Sequence, residues 1–161
     1  IDQLKRRNVP HQVLVIGDGP ARPWFESRIP DAKFAGFQVG SDLGRAVASM
    51  DIFFNPSVTE AFGNVTLESM ASGLPVVAAK ATGSQSLVED KVSGRLIAPG
   101  AINQFADALQ AYCVDADLRT KHGAAGAQRS LDFSWDAINQ TVADTYIRLI
   151  RQHAARAAAE R

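Results

Sequence analysis

Apolar runs and helix-period patterns alternate along the chain. Val13-Leu14-Val15-Ile16 is a continuous apolar run ended by Gly17, the pattern of a strand buried on both faces. Residues 21–29, with Pro20 and Pro23 near their start, read as a helix. Residues 32–37 read as a second strand. Ser41 is placed to cap a helix reaching Met50, with Leu43, Ala46 and Val47 at helical spacing. Ile52-Phe53-Phe54 is a third strand, closed by Asn55 and Pro56. Asn64 is placed to cap a helix through Ser72, stopped by Gly73 and Pro75. Leu67, Met70, Ala71 and Leu74 form the face expected against the sheet. Val76-Val77-Ala78-Ala79 is a fourth strand, a short helix covers 84–88, and Arg95-Leu96-Ile97-Ala98 is a fifth strand after Gly94. Beyond Pro99 three helices are predicted, over 102–113, over 116–130 and from Trp135 to the end. Strand and helix in alternation specify an α/β fold with a doubly wound, Rossmann-like parallel sheet. We assign residues 1–150 to it. Residues 151–161 form an Ala/Arg-rich helical tail with little apolar stripe, which either frays or leans on another domain.

Composition narrows the class. A chain of 161 residues supports one domain. Hydrophobic residues make up 46 % and charged residues 21 %, with 17 basic against 17 acidic side chains, a globular profile. That balance gives no basic excess for tracking phosphates, so nucleic acid is not an expected partner. Cys113 is the sole cysteine, which excludes an intrachain disulfide and a cysteine-based metal cluster and reads as a buried thiol. His11, His122 and His153 are scattered and read as surface or strand-end residues, and no metal site is expected. No apolar run approaches the roughly 18 residues of a membrane span, and no signal-peptide pattern opens the chain. A cytoplasmic location follows from that reading. Esterase and zinc-protease motifs are absent. Gly17-x-Gly19 meets Arg22 where a dinucleotide fingerprint needs its third glycine. Phe25, Phe34, Phe53, Phe54 and Phe105 are most simply core.

Chemistry concentrates in residues 55–68, Asn-Pro-Ser-Val-Thr-Glu-Ala-Phe-Gly-Asn-Val-Thr-Leu-Glu. A strand end, a glycine turn and a helix start follow one another, the place where doubly wound sheets bind ligands. Free N–H groups of Asn64, Val65 and Thr66 at the positive helix end suit a phosphate. Gly63 permits close backbone approach. Glu60 and Glu68 are poor phosphate ligands but good acceptors for sugar hydroxyls. An anion site between two hydroxyl acceptors describes a nucleotide sugar.

These residues carry a resemblance. Glu60-x7-Glu68, set within Pro56-Ser57-x-x-Glu60-x-Phe62-Gly63-x3-Leu67-Glu68-x-Met70-Ala71-x-Gly73-x-Pro75-Val76-Val77, resembles the signature of retaining GT-B glycosyltransferases of family 4. Val15-Ile16-Gly17-Asp18-Gly19-Pro20, Phe34-x-Gly36-Phe37, Gly83-x5-Glu89, Gly94-x-Leu96 and Phe133-Ser134-Trp135 extend the likeness over nearly the whole chain. The resemblance implies a C-terminal donor-binding domain. Glu68 would hold the ribose hydroxyls, and Glu60 the donor-sugar hydroxyls, as a binding residue before a catalytic one. Amides around Ala61, Phe62, Gly63 and Asn64 would meet the transferred sugar, and those of Val65 and Thr66 the diphosphate. Gly17 and Gly19 would line the cleft, with Phe37 to Val39 near the base. The implied reaction moves a hexose from a UDP- or GDP-linked donor with retained configuration, without cofactor or metal.

The chain departs from that family in one respect. It opens at Ile1-Asp2-Gln3-Leu4-Lys5-Arg6-Arg7, which reads as the helix after the domain's first strand. That strand, central between the runs at Val13 and Ile52, and its Arg/Lys pair are absent, as is the N-terminal acceptor-binding domain. The resemblance therefore implies a fragment inactive alone, and leaves open a peripheral contact with the inner membrane face through the absent domain. Two other readings stay open: a non-catalytic nucleotide-binding module, and a sugar-nucleotide epimerase on the same plan.

Overall fold

The computed structural model describes residues 1–159. Glu160 and Arg161, part of the expected tail, lie outside them. The elements follow the alternation: α1 (Asp2–Arg6), β1 (Leu14–Ile16), α2 (Arg22–Arg28), β2 (Lys33–Gly36), α3 (Gly40–Ala48), β3 (Phe53–Asn55), α4 (Asn64–Ala71), β4 (Val76–Ala79), α5 (Thr82–Leu87), β5 (Gly94–Ile97), α6 (Ile102–Val114), α7 (Ala116–Ser130) and α8 (Trp135–Ala159). Every strand pairing is parallel. β1 pairs with β2, and β3-β4-β5 form a second sheet in that order. No pairing among the described residues joins β1 or β2 to the second sheet.

Burial is concentrated in the second sheet. Val76, Val77, Ala78 and Ala79 of β4 are fully buried. One cluster joins Val77 and Ile97 to Leu109 and Tyr112 of α6 and to Leu4 of α1. Another joins Val76 and Ala78 to Met70 of α4 and Leu87 of α5. Each buried valine removes enough apolar area to stabilise the fold by about 2 kcal/mol. Glycine sets the spacing at two crossings. A Cβ on Gly94 would lie 2.3 Å from the Val76 carbonyl oxygen, and one on Gly123 of α7 would lie 2.0 Å from that of Gly73.

Several expectations are corrected. β1 is half-buried rather than covered on both faces. Its hydrogen-bonded partner lies on one side, and no residue of β1 or β2 belongs to either buried cluster. Ser41 does not cap α3, which starts a residue earlier at Gly40 with Val39 in the cap position. Asn64 is the first helical residue of α4, not its cap; Gly63 takes that place. On α4 Ala71 is exposed, and Thr66 and Ser69 share the buried face with Met70. Ser69 tolerates burial because its hydroxyl donates to the Val65 carbonyl one turn back, 2.8 Å away. Phe25 and Phe54 are over a third exposed rather than core. His122 is buried rather than superficial, with Nδ1 2.7 Å from the Tyr112 hydroxyl. Cys113, half-buried, has its thiol pKa raised by that burial. α8 runs from Trp135 to Ala159, where a helix from Trp135 onward is expected, and no helix among the described residues is long and apolar enough to cross a membrane.

Candidate functional site

The loop 56–63 leaves the carboxyl end of β3 and enters α4 through Gly63, whose φ of 98° lies in the left-handed region. That angle strains any L side chain, and a Cβ there would meet Leu87 Cδ1 at 3.3 Å and Glu60 Cγ at 3.4 Å. The turn therefore requires glycine. The first helical bond runs from Leu67 N–H to the Gly63 carbonyl, 2.9 Å, so the N–H groups of Asn64, Val65 and Thr66 precede the ladder. Asn64 and Val65 are exposed, which opens the helix start to solvent.

Glu60 is held from three sides. The Asn55 amide donates to its Oε2 and also to Thr66 Oγ1, each at 3.4 Å, while Asn55 Oδ1 accepts from Ser57 N–H at 3.1 Å. Thr82 Oγ1 at 2.7 Å and Gly83 N–H at 3.1 Å both donate to the Glu60 carbonyl. Gly83 allows this contact, because a Cβ would stand 2.7 Å from the Phe62 carbonyl oxygen. Phe62 in turn meets the Phe133 ring edge-on at 6.0 Å, and the Arg129 guanidinium lies over Phe133 at 5.7 Å. Arg129 also donates to the Leu87 and Ser86 carbonyls, tying α7 to α5. The loop is thus fixed from α5 and the end of α7, whereas the Glu60 carboxylate has only Asn55 as a hydrogen-bond partner among the described residues.

The structure brings Glu60, Ala61, Phe62, Gly63, Asn64, Val65 and Thr66 together at the carboxyl end of β3. Glu68 is exposed on α4, one turn after Asn64, and its carboxylate has no protein partner among the described residues. Gly17 and Gly19 follow the carboxyl end of β1. Gly17, at φ 125°, donates its N–H to the Gly36 carbonyl at 2.8 Å. Phe37 and Val39, after β2, are 76 % and 62 % exposed, so they are available to a ligand and not held by the core. Among the described residues no hydrogen bond ties those four residues to the Glu60 loop. Sequence reading missed Asn55, Thr82 and Gly83 as supports. Asn55 read as a strand stop, and only Gly83 had a signal, its place in the Gly83-x5-Glu89 pattern. No cluster of three metal-ligating side chains occurs among the described residues.

The loop and helix start lie at the carboxyl end of a parallel strand, the place where open α/β sheets bind ligands. The chain belongs to the glycosyl transferases group 1 family, whose model matches residues 1–115. It is 35 % identical to a D-inositol 3-phosphate glycosyltransferase of Corynebacterium kroppenstedtii, over 84 % of this chain and 32 % of that protein. To a GDP-mannose-dependent alpha-mannosyltransferase of Corynebacterium glutamicum it is 29 % identical, over 79 % of this chain and 31 % of that one. Anabaena HepE, solved with UDP and glucose, superposes with a TM-score of 0.73 at 30 % identity, covering 88 % of this chain and 42 % of that one. The chain spans about a third of the length of the curated relatives it matches. These neighbours are GT-B glycosyltransferases, and the α/β fold is theirs.

Proposed function

We propose that this chain is the donor-binding part of a glycosyltransferase that moves a hexose from a nucleoside diphosphate sugar to an acceptor hydroxyl with retained anomeric configuration. The carrying observation is the left-handed Gly63 turn, which presents the head of α4 beside a Glu60 carboxylate that, among the described residues, only Asn55 engages. Support also comes from the relatives' names and from the UDP and glucose bound to Anabaena HepE.

The diphosphate lies against the N–H groups of Val65 and Thr66, where the helix end supplies about half a unit of positive charge. Glu60 accepts from hydroxyls of the hexose, and amides from Ala61 to Asn64 line the same sugar. Glu68 accepts from the ribose hydroxyls. Gly17 and Gly19 border the cleft, with Phe37 and Val39 beside the base. In the transfer, the bond from the anomeric carbon to the diphosphate oxygen breaks and one to the acceptor oxygen forms. The acceptor proton passes to the departing phosphate. Preorganised N–H groups lower the barrier by meeting charge that develops on that phosphate. Glu60 binds and orients, and no enzymic nucleophile takes part.

Isothermal titration of the intact protein with UDP-glucose and GDP-mannose tests the reading. One of the two is expected to bind, and Glu68→Ala to weaken it at least ~10-fold, about 1.4 kcal/mol. Binding unchanged by that substitution overturns the assignment.

A further inference from the structure

A cavity of about 250 Å³ opens at the other end of the second sheet, away from the Glu60 loop. It lies between the turn before β5, the strand's first residues and the α6–α7 pair. Its walls carry Lys91, Arg95, Tyr112 and His122, with Ala108, Ala111 and Leu118 as apolar lining. Two cations thus face a space closed by a phenol and an imidazole.

The hydrogen-bond inventory of this cavity is unbalanced toward donors. Arg95 Nε is buried and has no hydrogen-bond partner among the described residues. The nearest acid, Asp90, stands 3.6 Å from it, and its Oδ1 already accepts from Leu96 N–H at 2.9 Å. An orphaned, charge-bearing donor costs stability unless something accepts from it. Tyr112 and His122, 1 % and 5 % exposed, share one bond of 2.7 Å. Burial raises the phenol's pKa and lowers the imidazole's, so both are neutral at pH 7. We assign the tautomer in which the hydroxyl donates to Nδ1 and the ring proton sits on Nε2. Lys91, held in a left-handed turn at φ 65°, adds an exposed ammonium.

We propose that this cavity binds a small phosphate-class oxyanion, held by Lys91, Arg95 and His122. Three donor groups, on the turn before β5, on β5 and on α7, suit the three terminal oxygens of a phosphomonoester or three of the four of inorganic phosphate. The site is separate from the donor cleft, since β5 runs parallel to β4 and Lys91 and Arg95 sit at its amino end.

Titration of the intact protein with inorganic phosphate, followed by the His122 ring resonances in NMR, tests the assignment. A saturable shift is expected, with affinity reduced at least tenfold in Arg95→Gln. Lys91→Asn, on an exposed turn whose positive φ asparagine tolerates, should reduce it as well. Glu68→Ala should leave it unchanged. No saturable shift overturns the site, as do full affinity in both Arg95→Gln and Lys91→Asn or loss of binding in Glu68→Ala. A hexose monophosphate titrated in parallel identifies the source. Tighter binding than phosphate assigns the site to a phosphomonoester, weaker binding assigns it to free phosphate, and both outcomes require the same residues.

Discussion

Strands β1 and β4 read alike, Leu-Val-Ile against Val-Val-Ala-Ala, yet they occupy different surroundings. β4 has a hydrogen-bonded strand on each side and a buried cluster on each face, and all four of its residues are sealed from solvent. β1 has one partner, and its three residues are half-buried. The helices differ in the same way. α4, α6 and α7 contribute Met70, Leu109, Tyr112 and His122 to the interior, while α2 buries nothing and leaves Trp24 and Phe25 exposed. An apolar run therefore specifies a strand, but its stability comes from what covers it.

The largest test of that contrast is Gly123→Ala. The new Cβ would lie 2.0 Å from a backbone oxygen at the end of α4, and neither helix can yield without moving the core. A loss of about 3 kcal/mol or more is expected in urea unfolding. A loss below about 1 kcal/mol would show that α7 is free to slide.

Native-state hydrogen exchange should come next in size. Amides of Val76–Ala79 are expected to open only with the whole molecule, and those of Leu14–Ile16 at least ~10-fold faster through local opening. Equal protection in the two strands would remove the distinction between the sheets.

The pH profile reaches the buried half through His122 and Tyr112. His122 has its pKa depressed below the ordinary 6.5 by burial, then by Lys121 and Arg95. Between that lowered value and 6.5 the unfolded chain binds a proton the folded chain refuses. Stability from this group is thus complete above pH 6.5 and is lost as pH falls below it. Tyr112, pushed up to about 12 by burial, keeps its proton when the unfolded phenol has lost it, so stability falls as pH rises from 10 to 12. Thermal melts across pH should show both limbs, and His122→Gln should remove the acid one.

The smallest effect has the opposite sign. Gly44 sits inside α3, and a methyl group added there would have no neighbour within 4 Å, so Gly44→Ala should stabilise by about 0.5–1 kcal/mol. A loss of melting temperature instead would mean that α3 is packed more tightly than its exposure indicates.

The order of strands and helices, the parallel pairing class and the strand-end, glycine-turn, helix-start succession over 55–68 were legible in the residues. Strand periodicity, glycine and proline stops and short-range spacing are local signals, and the chain obeys them within a residue or two at β4, α4 and α7. Caps were misread at Ser41 and Asn64 because extended backbone at Val39 and a left-handed turn at Gly63 start those helices without a side-chain acceptor. The supports of the site were illegible for another reason. Asn55, Thr82 and Gly83 reach Glu60 from elements up to 23 positions away, and nothing local marks a hydrogen bond made across that separation. His122 looked superficial in a polar stretch and became core once α7 turned it toward Tyr112 of α6. Residue order determined which segments become strands and helices and where the chemistry-bearing types lie. Tertiary packing decided which strand is sealed, which acid is held and which donors are left without a partner, because burial depends on neighbours far along the chain.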